Sequence, residues 1–453
     1  MASPKASSWL RLRAISTHLK ALGGAQTYGA SPDDVQRDPY GADEPGGYAN
    51  TPAGWAPKPG QFAIDDRRKT RVSNYSGGYE RYPHRTIRAG AKTSSLSTAK
   101  YNDDFTYRWG SERRTLASYA ASFPVTGMLI ARRGSVMVEH YYRKRDADMR
   151  FQSWSMAKSI VSLLLGICID RGLIRSLDDE VQQYAPVLRG SYHGAISLRH
   201  LSNMASGAEI VHASEDYGVL YSRCFTDLDS DIAALVSSWN KQAKGPAGEP
   251  GNTFNYNELC PLSLALAIRH VTGVSLSEFA EEALWQKMGA EGDATWSTDS
   301  TGLEFCCVGF GARLRDWARL AQLVAQKGFM NGQQIVSEAW IAEITSWSPA
   351  DAQSGLWCKG KHVNSTLLLE QGMLGVGYKA FFWHHKPDGS QPVFSGHNGQ
   401  MIIGEITYQY TDYCCGDCQP PLLARTLLTY TACTYTADSR YALRDGVGND
   451  RRE

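Results

Sequence analysis

A long apolar helix that opens with a serine is the feature that most constrains the fold of this chain. Residues 155–171 place apolar side chains at the spacing of one broad helical face, and Gly172 follows where helices commonly end. The face consists of Met156, Ile160, Leu163, Leu164 and Ile167. Such a helix must be covered by other elements, so the sequence predicts a core around it, with Ser155 at its first turn.

The length of 453 residues exceeds the usual size of one hydrophobic core, so we expect one large unit of two lobes with appendages. Lys and Arg number 47 against 46 Asp and Glu, a balance without the electrostatic signature of nucleic-acid or anionic-membrane binding. No stretch of the sequence reaches the roughly 18 to 20 apolar residues that span a bilayer. We therefore expect neither nucleic acid nor a membrane as a partner.

The N-terminal region lacks the continuous apolar core, roughly 7 to 15 residues, of a secretory signal. Residues 1–32 contain no acidic side chain and carry Lys5, Arg11, Arg13 and Lys20. Such a start is also typical of a mitochondrial transit peptide, and a surface extension is the alternative. From the missing secretory signal we expect a cytoplasmic location.

Residues 23–90 are rich in Gly, Pro, Tyr and Asp and hold hardly any aliphatic run, a composition that disfavours regular secondary structure. We expect either an extended arm pinned to the body by aromatic rings or plain disorder. The folded body is predicted to begin near Phe105. This divides the chain into a largely irregular extension at residues 1–104 and a folded domain at residues 105–453.

The pattern within the folded domain alternates strands and helices. A hairpin is predicted around residues 132–135, helices at 259–270 and 316–326, and a closing helix at 420–431. YKAFFWHH, PVFSGH and QMIIGEITYQY predict three antiparallel strands, with Asp388-Gly389 as the turn between the first two. The fold class is therefore α+β, with an antiparallel sheet lobe at about 105–185 and 290–445 and a helical lobe at about 186–289.

The ten cysteines raise the question of a metal site. Cys414, Cys415 and Cys418 contain a Cys-x-x-Cys, but no second such pair or His pair accompanies it. We interpret the cysteines as reduced thiols and expect no metal. The sequence also lacks a Gly-x-x-x-x-Gly-Lys loop and a Gly-x-Gly-x-x-Gly after a strand, so no nucleotide cofactor is implied.

The segment FQSWSMAKSI carries a Ser-x-x-Lys motif. Ser155 and Lys158 are three residues apart at a helix N-terminus, which places a hydroxyl and an amine on one face. A serine hydroxyl becomes a strong nucleophile when a neighbouring base accepts its proton, and a desolvated lysine can be that base. The unpaired amides of the helix N-terminus stabilise developing negative charge. Taken alone, the motif also fits an N-cap serine beside a solvated lysine.

The wider sequence resembles the serine β-lactamase-fold family, in particular its class C-like members, the 6-aminohexanoate-oligomer hydrolases and family VIII-type carboxylesterases. The matching segments follow the family order over residues 123–406: SMAKSIVSLLLGICIDRGLI, ISLRHLSNMASGAEI, FNYNELCPLSLALAIRHVTG, GFGARLRDWARLAQLVAQKGFMNGQQIV and FSGHNGQMIIG. This resemblance implies a β-lactamase/penicillin-binding-protein-like fold and makes residues 105–453 a serine hydrolase domain.

The resemblance also implies a third catalytic residue. Tyr256 opens the family's second motif, where a tyrosine bonds to the motif lysine and relays a proton to the leaving group. The family has Tyr-x-Asn or Tyr-x-Ser there, whereas this chain has Tyr-Asn-Glu, so Asn257 and Glu258 become candidate substrate contacts. A carboxylate facing Lys158 would weaken it as a base. Glu258 therefore points away, binds a polar or cationic substrate group, or marks an altered catalyst.

The third motif, Lys-Thr-Gly in β-lactamases, has two possible registers: Phe-Ser-Gly at residues 394–396 or His-Asn-Gly at 397–399. We prefer the first, because it matches the Gly-x-x-Gly-Gln pattern of the oligomer hydrolases. It makes the backbone N–H groups of Ser155 and His397 the oxyanion-hole donors. A general-base role for the His397 side chain is the alternative. The missing motif lysine removes a carboxylate-binding cation, which argues against β-lactam substrates.

Together these features predict a cofactor-free serine hydrolase that cleaves a small carboxylic ester or amide through a Ser155 acyl-enzyme. Acyl transfer through the same intermediate is the alternative, and a non-catalytic binding descendant is a further one. Ser206 lacks the Gly-x-Ser-x-Gly context of a triad nucleophile and is expected to be structural. The expected partners are a small-molecule ester or amide and, as one option, a second copy of the chain in a homodimer.

Overall fold

Strands from both halves of the predicted domain meet in one eight-stranded sheet in the computed structural model. The structure describes residues 83–98, 106–109, 112–122, 125–132, 134–142, 145–209, 231–346, 377–384, 392–396, 400–404 and 425–431. In sheet order the strands are Gly377–Lys379 (β12), Phe382–His384 (β13), Pro392–Ser395 (β14), Gln400–Gly404 (β15), Arg425–Thr431 (β16), Val125–Arg132 (β5), Ser135–Tyr141 (β6) and Ser97–Thr98 (β2). Neighbouring strands are antiparallel except β2, which lies parallel to β6.

The hairpin predicted around residues 132–135 is confirmed, because Arg132 and Ser135 are paired across β5 and β6. The helix predicted at residues 420–431 is wrong for residues 425–431, which form β16. This strand pairs with β15 on one side and β5 on the other, with Leu428 opposite both Ile402 and Leu129. An apolar run of this length fits a helix or a buried strand, and here pairing on both sides decides for the strand.

The segment YKAFFWHH is a tight hairpin, whereas the sequence predicts one strand. Its turn contains Ala380 and Phe381 with φ of 47° and 62°, left-handed conformations that turn signals normally assign to Gly or Asn. Buried hydrogen bonds hold them, from Ala380 N–H to Asn203 Oδ1 (2.9 Å) and from Phe381 N–H to the Ser202 carbonyl (2.9 Å). The turn is therefore enforced by its docking site. Asp388 and Gly389 lie outside the described residues.

A second, smaller antiparallel sheet has four strands. Its strands are His84–Ile87 (β1), Ala294–Ser297 (β8), Phe310–Ala312 (β9) and Phe151–Gln152 (β7). Two-stranded ribbons are formed by Thr106–Trp109 (β3) with Glu112–Thr115 (β4), and by Phe329–Met330 (β10) with Gln333–Gln334 (β11). Because β1 and β2 belong to these sheets, paired backbone begins before Phe105.

The helices are Leu116–Ser122 (α1), Met156–Asp170 (α2), Leu198–Ser202 (α3), Ile232–Ser238 (α4), Leu259–Thr272 (α5), Leu276–Ala280 (α6), Leu314–Ala325 (α7) and Glu338–Thr345 (α8). A π-helical turn, Glu281–Trp285, continues α6. The central and later helices predicted at 155–171, 259–270 and 316–326 are confirmed as α2, α5 and α7. Helix α5 ends at Gly273, whose φ of 70° gives the left-handed C-cap that glycine favours.

Helix α2 lies between the lobes. It packs against α5 of the helical lobe and against β14, while α7 covers β5, β15 and β16. From Met156 through Cys168 every residue of α2 is buried, as its apolar sequence predicts. At Gly166 a Cβ would lie 2.2 Å from the Trp340 ring, so glycine permits the close approach of α8. Helices α5 and α8 and strand β14 thus all pack on α2.

No single helix within the described ranges has the length and apolar composition of a membrane span. The pair Leu259–Thr272 and Leu276–Trp285 reaches that length together, with a bend of 75° between its halves.

Candidate active site

A strained turn presents Ser155 at the start of α2. Ser153 fixes the turn: its N–H donates to the Phe310 carbonyl (2.7 Å), and its hydroxyl donates to the Val308 carbonyl (2.8 Å). Trp154 follows with φ of 45°, a left-handed conformation that is costly for a tryptophan. Ser155 then stands half-buried within a run whose neighbours, residues 151–154 and 156–168, are all buried. Its hydroxyl is therefore the accessible group of this segment.

The Lys158 ammonium is surrounded by acceptors. Its Nζ donates to Ser155 Oγ (2.9 Å) and to the Cys307 carbonyl (3.0 Å), and it lies 2.6 Å from Glu258 Oε2. The side chain is only 1% exposed. Ser155 makes no capping bond to the helix backbone. The alternative of an N-cap serine beside a solvated lysine is therefore wrong.

The electrostatics of Lys158 are set by opposing effects. Burial lowers the pKa of the ammonium, but Glu258 above all, and also Tyr256 and Cys307, raise it, so the pKa lies above the ordinary lysine value. In the resting site Lys158 is thus charged. A charged amine has no lone pair, so proton acceptance from Ser155 requires that one of its protons first go elsewhere.

Tyr256 lies just before α5 and faces the same amine. Its hydroxyl is within hydrogen-bonding reach of Ser155 and Lys158, and its ring centroid is 4.9 Å from Lys158 Nζ. Burial raises the pKa of the phenol, while the Lys158 charge acts in the opposite direction. The ring stacks on Trp383 (5.5 Å between centroids) and meets Tyr378 edge-on (5.8 Å). The structure therefore brings Ser155, Lys158 and Tyr256 together.

The hairpin β12–β13 is a part of the site that sequence reasoning missed. Tyr378 and Trp383 are paired across this hairpin and clamp the ring of Tyr256. The Cys307 carbonyl, which accepts from Lys158, was missed as well. A backbone carbonyl cannot be recognised from residue type. Tyr378 and Trp383 in YKAFFWHH, however, indicate an aromatic cluster.

Asn257 is bonded within the protein. Its side chain is fully buried; Nδ2 donates to the Asn255 carbonyl (2.7 Å) and Oδ1 accepts from the Cys260 N–H (3.1 Å). The side chain thus satisfies an otherwise unpaired amide in the first turn of α5. In this structure it caps the helix, and its contact with a substrate stays a prediction.

Glu258 faces inward. Its side chain is 2% exposed and its Oε2 lies 2.6 Å from Lys158 Nζ, so it does not point away from the lysine. It forms an ion pair with the motif lysine, and its contact with a substrate stays a prediction. Of the alternatives raised by the sequence, the geometry agrees with an altered arrangement around Lys158.

The end of β14 passes directly beside the turn before Ser155. Gly396 N–H donates to the Gln400 carbonyl (2.8 Å), and a Cβ on Gly396 would lie 2.5 Å from the Ser153 carbonyl oxygen. Only glycine permits this approach. The preferred register at residues 394–396 thus lies at the site. His397 lies outside the described residues together with residues 398–399, and its oxyanion role stays a prediction.

The remaining candidates lie apart from this chemistry. Ser206 is fully buried and accepts from the Ala208 N–H (3.3 Å), in keeping with a structural loop residue. Among the residues that the structure describes, no group of His, Cys, Asp and Glu is arranged to hold a metal ion. The described cysteines Cys168, Cys260, Cys306 and Cys307 are buried and form no disulfide with one another. Cys414, Cys415 and Cys418 lie outside the described residues.

The amino-acid sequence is similar to sequences of known proteins. Residues 113–302 match the β-lactamase family model. A 6-aminohexanoate-dimer hydrolase of Paenarthrobacter ureafaciens is 26% identical over 248 residues, which are 51% of this chain and 59% of that protein. The chain thus spans less than two thirds of the length of this curated relative.

Two solved structures show the same architecture. A candidate 6-aminohexanoate-dimer hydrolase from Bacillus anthracis has a TM-score of 0.67 at 20% identity, over 82% of this chain and 91% of that one. A hydrolase with promiscuous acyltransferase activity has a TM-score of 0.52 at 15% identity, over 73% and 95%.

Proposed function

We propose that this chain, which has the β-lactamase/penicillin-binding-protein-like fold, is a serine hydrolase of small carboxylic esters or amides. Its reaction proceeds through an acyl-enzyme on Ser155, with Lys158 as the proton-accepting partner and Tyr256 as the proton relay. No cofactor takes part in this scheme.

The observation that carries the proposal is the contact between Lys158 Nζ and Ser155 Oγ at 2.9 Å. It joins a half-buried hydroxyl to a fully buried amine at the N-terminus of a helix. A nucleophile needs access to substrate, whereas its base benefits from desolvation, and this contact supplies both. The positive end of the helix dipole favours the developing oxyanion, and the Ser155 N–H is its proposed donor at this end.

Acylation then follows from the positions of three groups. Ser155 Oγ attacks the acyl carbon as its proton passes to Lys158, and the carbonyl oxygen takes up the negative charge. The backbone N–H groups of Ser155 and His397 are the proposed donors to that oxyanion. Collapse of the intermediate breaks the bond to the leaving group, which receives its proton through the Tyr256 hydroxyl. Water repeats the sequence to release the acid.

The proposed substrate class follows from what the site retains and lacks. The third motif has no lysine to hold a substrate carboxylate, which disfavours β-lactams and peptidoglycan stems. Two relatives are described as acting on the 6-aminohexanoate dimer, an unstrained linear amide. We therefore place short ω-amino acid amides beside simple esters as the first compounds to test.

A substrate panel with covalent labelling tests the proposal. p-Nitrophenyl esters, anilides and ω-amino acid oligomers are incubated with the full chain, and a fluorophosphonate probe is mapped by mass spectrometry. We expect turnover of at least one class and probe mass at Ser155. Labelling at another serine, or no turnover and no labelling, would overturn the proposal. Adding an amine or alcohol measures how the acyl group partitions, and dominant capture by these nucleophiles would identify a transferase instead.

A further inference from the structure

We propose that Lys158 and Glu258 act together as the base of this site: Glu258 takes a proton from Lys158, and Lys158 then takes the proton of Ser155. This inference rests on the proposed serine-hydrolase function and goes beyond it. It gives a chemical role to the residue at which the chain departs from Tyr-x-Asn and Tyr-x-Ser.

The geometry places Lys158 Nζ as a bridge between two groups. It lies 2.6 Å from Glu258 Oε2 and 2.9 Å from Ser155 Oγ, and its third proton is held by the Cys307 carbonyl at 3.0 Å. The contact with Ser155 is a hydrogen bond from a charged donor, and the contact with Glu258 is an ion pair short enough for proton transfer once an N–H turns toward Oε2. Ser155 and Glu258 can thus exchange a proton through one nitrogen atom.

Burial of the pair brings the charged arrangement, ammonium and carboxylate, close in energy to the neutral one, amine and carboxylic acid. The Lys158 and Glu258 side chains are 1% and 2% exposed, so the ion pair lacks the hydration that stabilises separate charges in water. A neutral amine beside a neutral acid avoids that desolvation cost. Moving one proton from Nζ to Oε2 changes no net charge. The neutral arrangement is therefore reachable without taking a proton from or giving one to solvent.

Lysine alone would be a poor base here. With its pKa raised by Glu258, the amine would lose a proton to solvent only in strongly alkaline solution. Each pH unit below such a pKa costs about a factor of ten in the neutral form, or about 1.36 kcal/mol. A site that works near neutral pH needs another acceptor for that proton, and the carboxylate at 2.6 Å is placed to be it.

The proton balance closes over one cycle. Lys158 gives a proton to Glu258, and rotation about its Cε–Nζ bond turns the lone pair to Ser155. The hydroxyl proton passes to Nζ as Oγ bonds to the acyl carbon and the carbonyl π bond opens. On collapse, Lys158 gives a proton to the leaving group by way of Tyr256 and regains one from Glu258. A water molecule enters and the same transfers release the acid and restore Ser155.

Other titratable groups face the pair, and they define the pH range in which it can be observed. Tyr256, Cys260, Cys307 and Tyr378 contribute to the electrostatics of Lys158 or Glu258. Burial raises the pKa of Cys260 to about 12 and that of Tyr378 well above the ordinary value. The pKa of Tyr256 is raised as well. Among these described groups, only the Lys158–Glu258 pair is left to change the rate on the acid side of neutrality, and a His397→Ala variant controls for that imidazole.

The pH dependence of kcat/KM for a p-nitrophenyl ester tests the shared base. In the unaltered chain we expect a plateau from about pH 6 to 9, with the ascending limb below about pH 5, near the ordinary range of a glutamate. Glu258→Gln leaves Lys158 as a lone base, so its limb should move to higher pH by about two units or more. If Glu258 only holds the ammonium, the unaltered chain rises tenfold per pH unit from 6 to 10. Glu258→Gln then moves the limb to lower pH, and the proposal is wrong.

A matched control and a second measurement keep the test decisive. Glu139→Gln breaks a partly buried ion pair, with Arg315 at 2.7 Å, and should leave the limb in place. The rate of the unaltered chain is also measured in mixtures of light and heavy water. A plot of rate against the fraction of heavy water should curve downward, because two protons move in the rate-limiting step. A linear plot would overturn the proposal even if Glu258→Gln failed to fold. If Ser155 is labelled but these outcomes fail, the shared base is wrong and the hydrolase proposal stands.

Discussion

Two buried ion pairs in this protein look alike in burial and charge but differ in what surrounds them. Lys158 and Glu258 meet at 2.6 Å, and Arg319 and Asp316 meet at 2.9 Å, with all four side chains 2% exposed or less. The first pair touches a half-buried hydroxyl, that of Ser155. The second lies within the body, away from this hydroxyl.

The Arg319–Asp316 pair is held by fixed partners. Asp316 accepts from the N–H groups of Glu291 (2.7 Å) and Gly292 (3.0 Å), and Arg319 donates to the Ser94 carbonyl (3.0 Å). An arginine keeps its proton under all ordinary conditions, so this network can only hold the segments together. It ties residues 94 and 291–292 to α7.

Because the two ion pairs share burial and charge, these two properties alone do not identify a catalytic pair. Lysine can lose a proton, arginine cannot, and only the lysine has an accessible nucleophile as a hydrogen-bond partner. A functional reading needs both conditions at once. The following experiments separate the two regions.

Removing the accessible hydroxyl has the largest expected effect. Ser155→Ala should lower kcat/KM on the order of 10⁴-fold or more and leave the fold intact, because the lost group is the nucleophile. Ester hydrolysis and circular dichroism measure the two properties. Ser206→Ala is the control, since Ser206 lies in a structural loop and should keep activity within tenfold. Retention of more than about a tenth of the activity by Ser155→Ala would contradict the assignment.

Breaking the structural pair should act on stability instead. Arg319→Met leaves the Asp316 carboxylate buried without its cation, and we expect a loss of about 3–5 kcal/mol in the free energy of unfolding. Urea unfolding measures this loss, and fluorophosphonate labelling per folded molecule should be unchanged. A stable Arg319→Met variant with impaired labelling would reverse the roles given to the two regions.

Tyr256→Phe sharpens the comparison within the site. The aromatic packing against Trp383 and Tyr378 should persist, while the hydroxyl that relays the proton is lost, so we expect a decrease in kcat on the order of 10². The decrease should be smaller for p-nitrophenyl esters, whose leaving group needs no proton, than for anilides. Equal decreases for both substrates would point to a packing role for the ring.

The smallest expected effect is on stability and comes from a buried histidine outside both ion pairs. His193 is fully buried, neither of its ring nitrogens has a hydrogen-bond partner within the described residues, and burial lowers its pKa to about 4. The unfolded chain, with an ordinary pKa near 6.5, then binds a proton first as the pH falls. Stability should be full above pH 6.5 and decrease below it, by about 1.4 kcal/mol at pH 5.5. His193→Phe should remove this pH dependence from the free energy of unfolding, measured by urea unfolding at several pH values. An unchanged dependence would show that another group causes it.

Much of the site could be predicted because its signals are local. Ser155 and Lys158 share one helix face by spacing alone, and the apolar face of α2 predicts that the lysine is desolvated. The position of Tyr256 came from resemblance, since a tyrosine by itself indicates no chemistry. The Asn257 contact could not be judged from residue type, because an amide caps a helix as readily as it binds a substrate.

The fold was predictable where one element carries its own pattern. The β5–β6 hairpin and helices α2, α5 and α7 follow from periodicity and turn residues. Strand β16 and the β12–β13 turn did not, because each is decided by partners distant in sequence. The left-handed conformations of Ala380 and Phe381 are stabilised by hydrogen bonds from their N–H groups to Asn203 and Ser202, at the end of α3.

Hydrophobic periodicity and i,i+3 spacing are local properties of the chain, so the sequence alone indicates a buried helix, a serine and a lysine in its first turn, and an α+β body around them. The tertiary structure decided that Glu258 faces Lys158, that Asn257 caps α5, and that Tyr378 and Trp383 hold Tyr256. These contacts join segments up to 127 residues apart from one another, and a side chain's direction across such a distance depends on how the whole core packs.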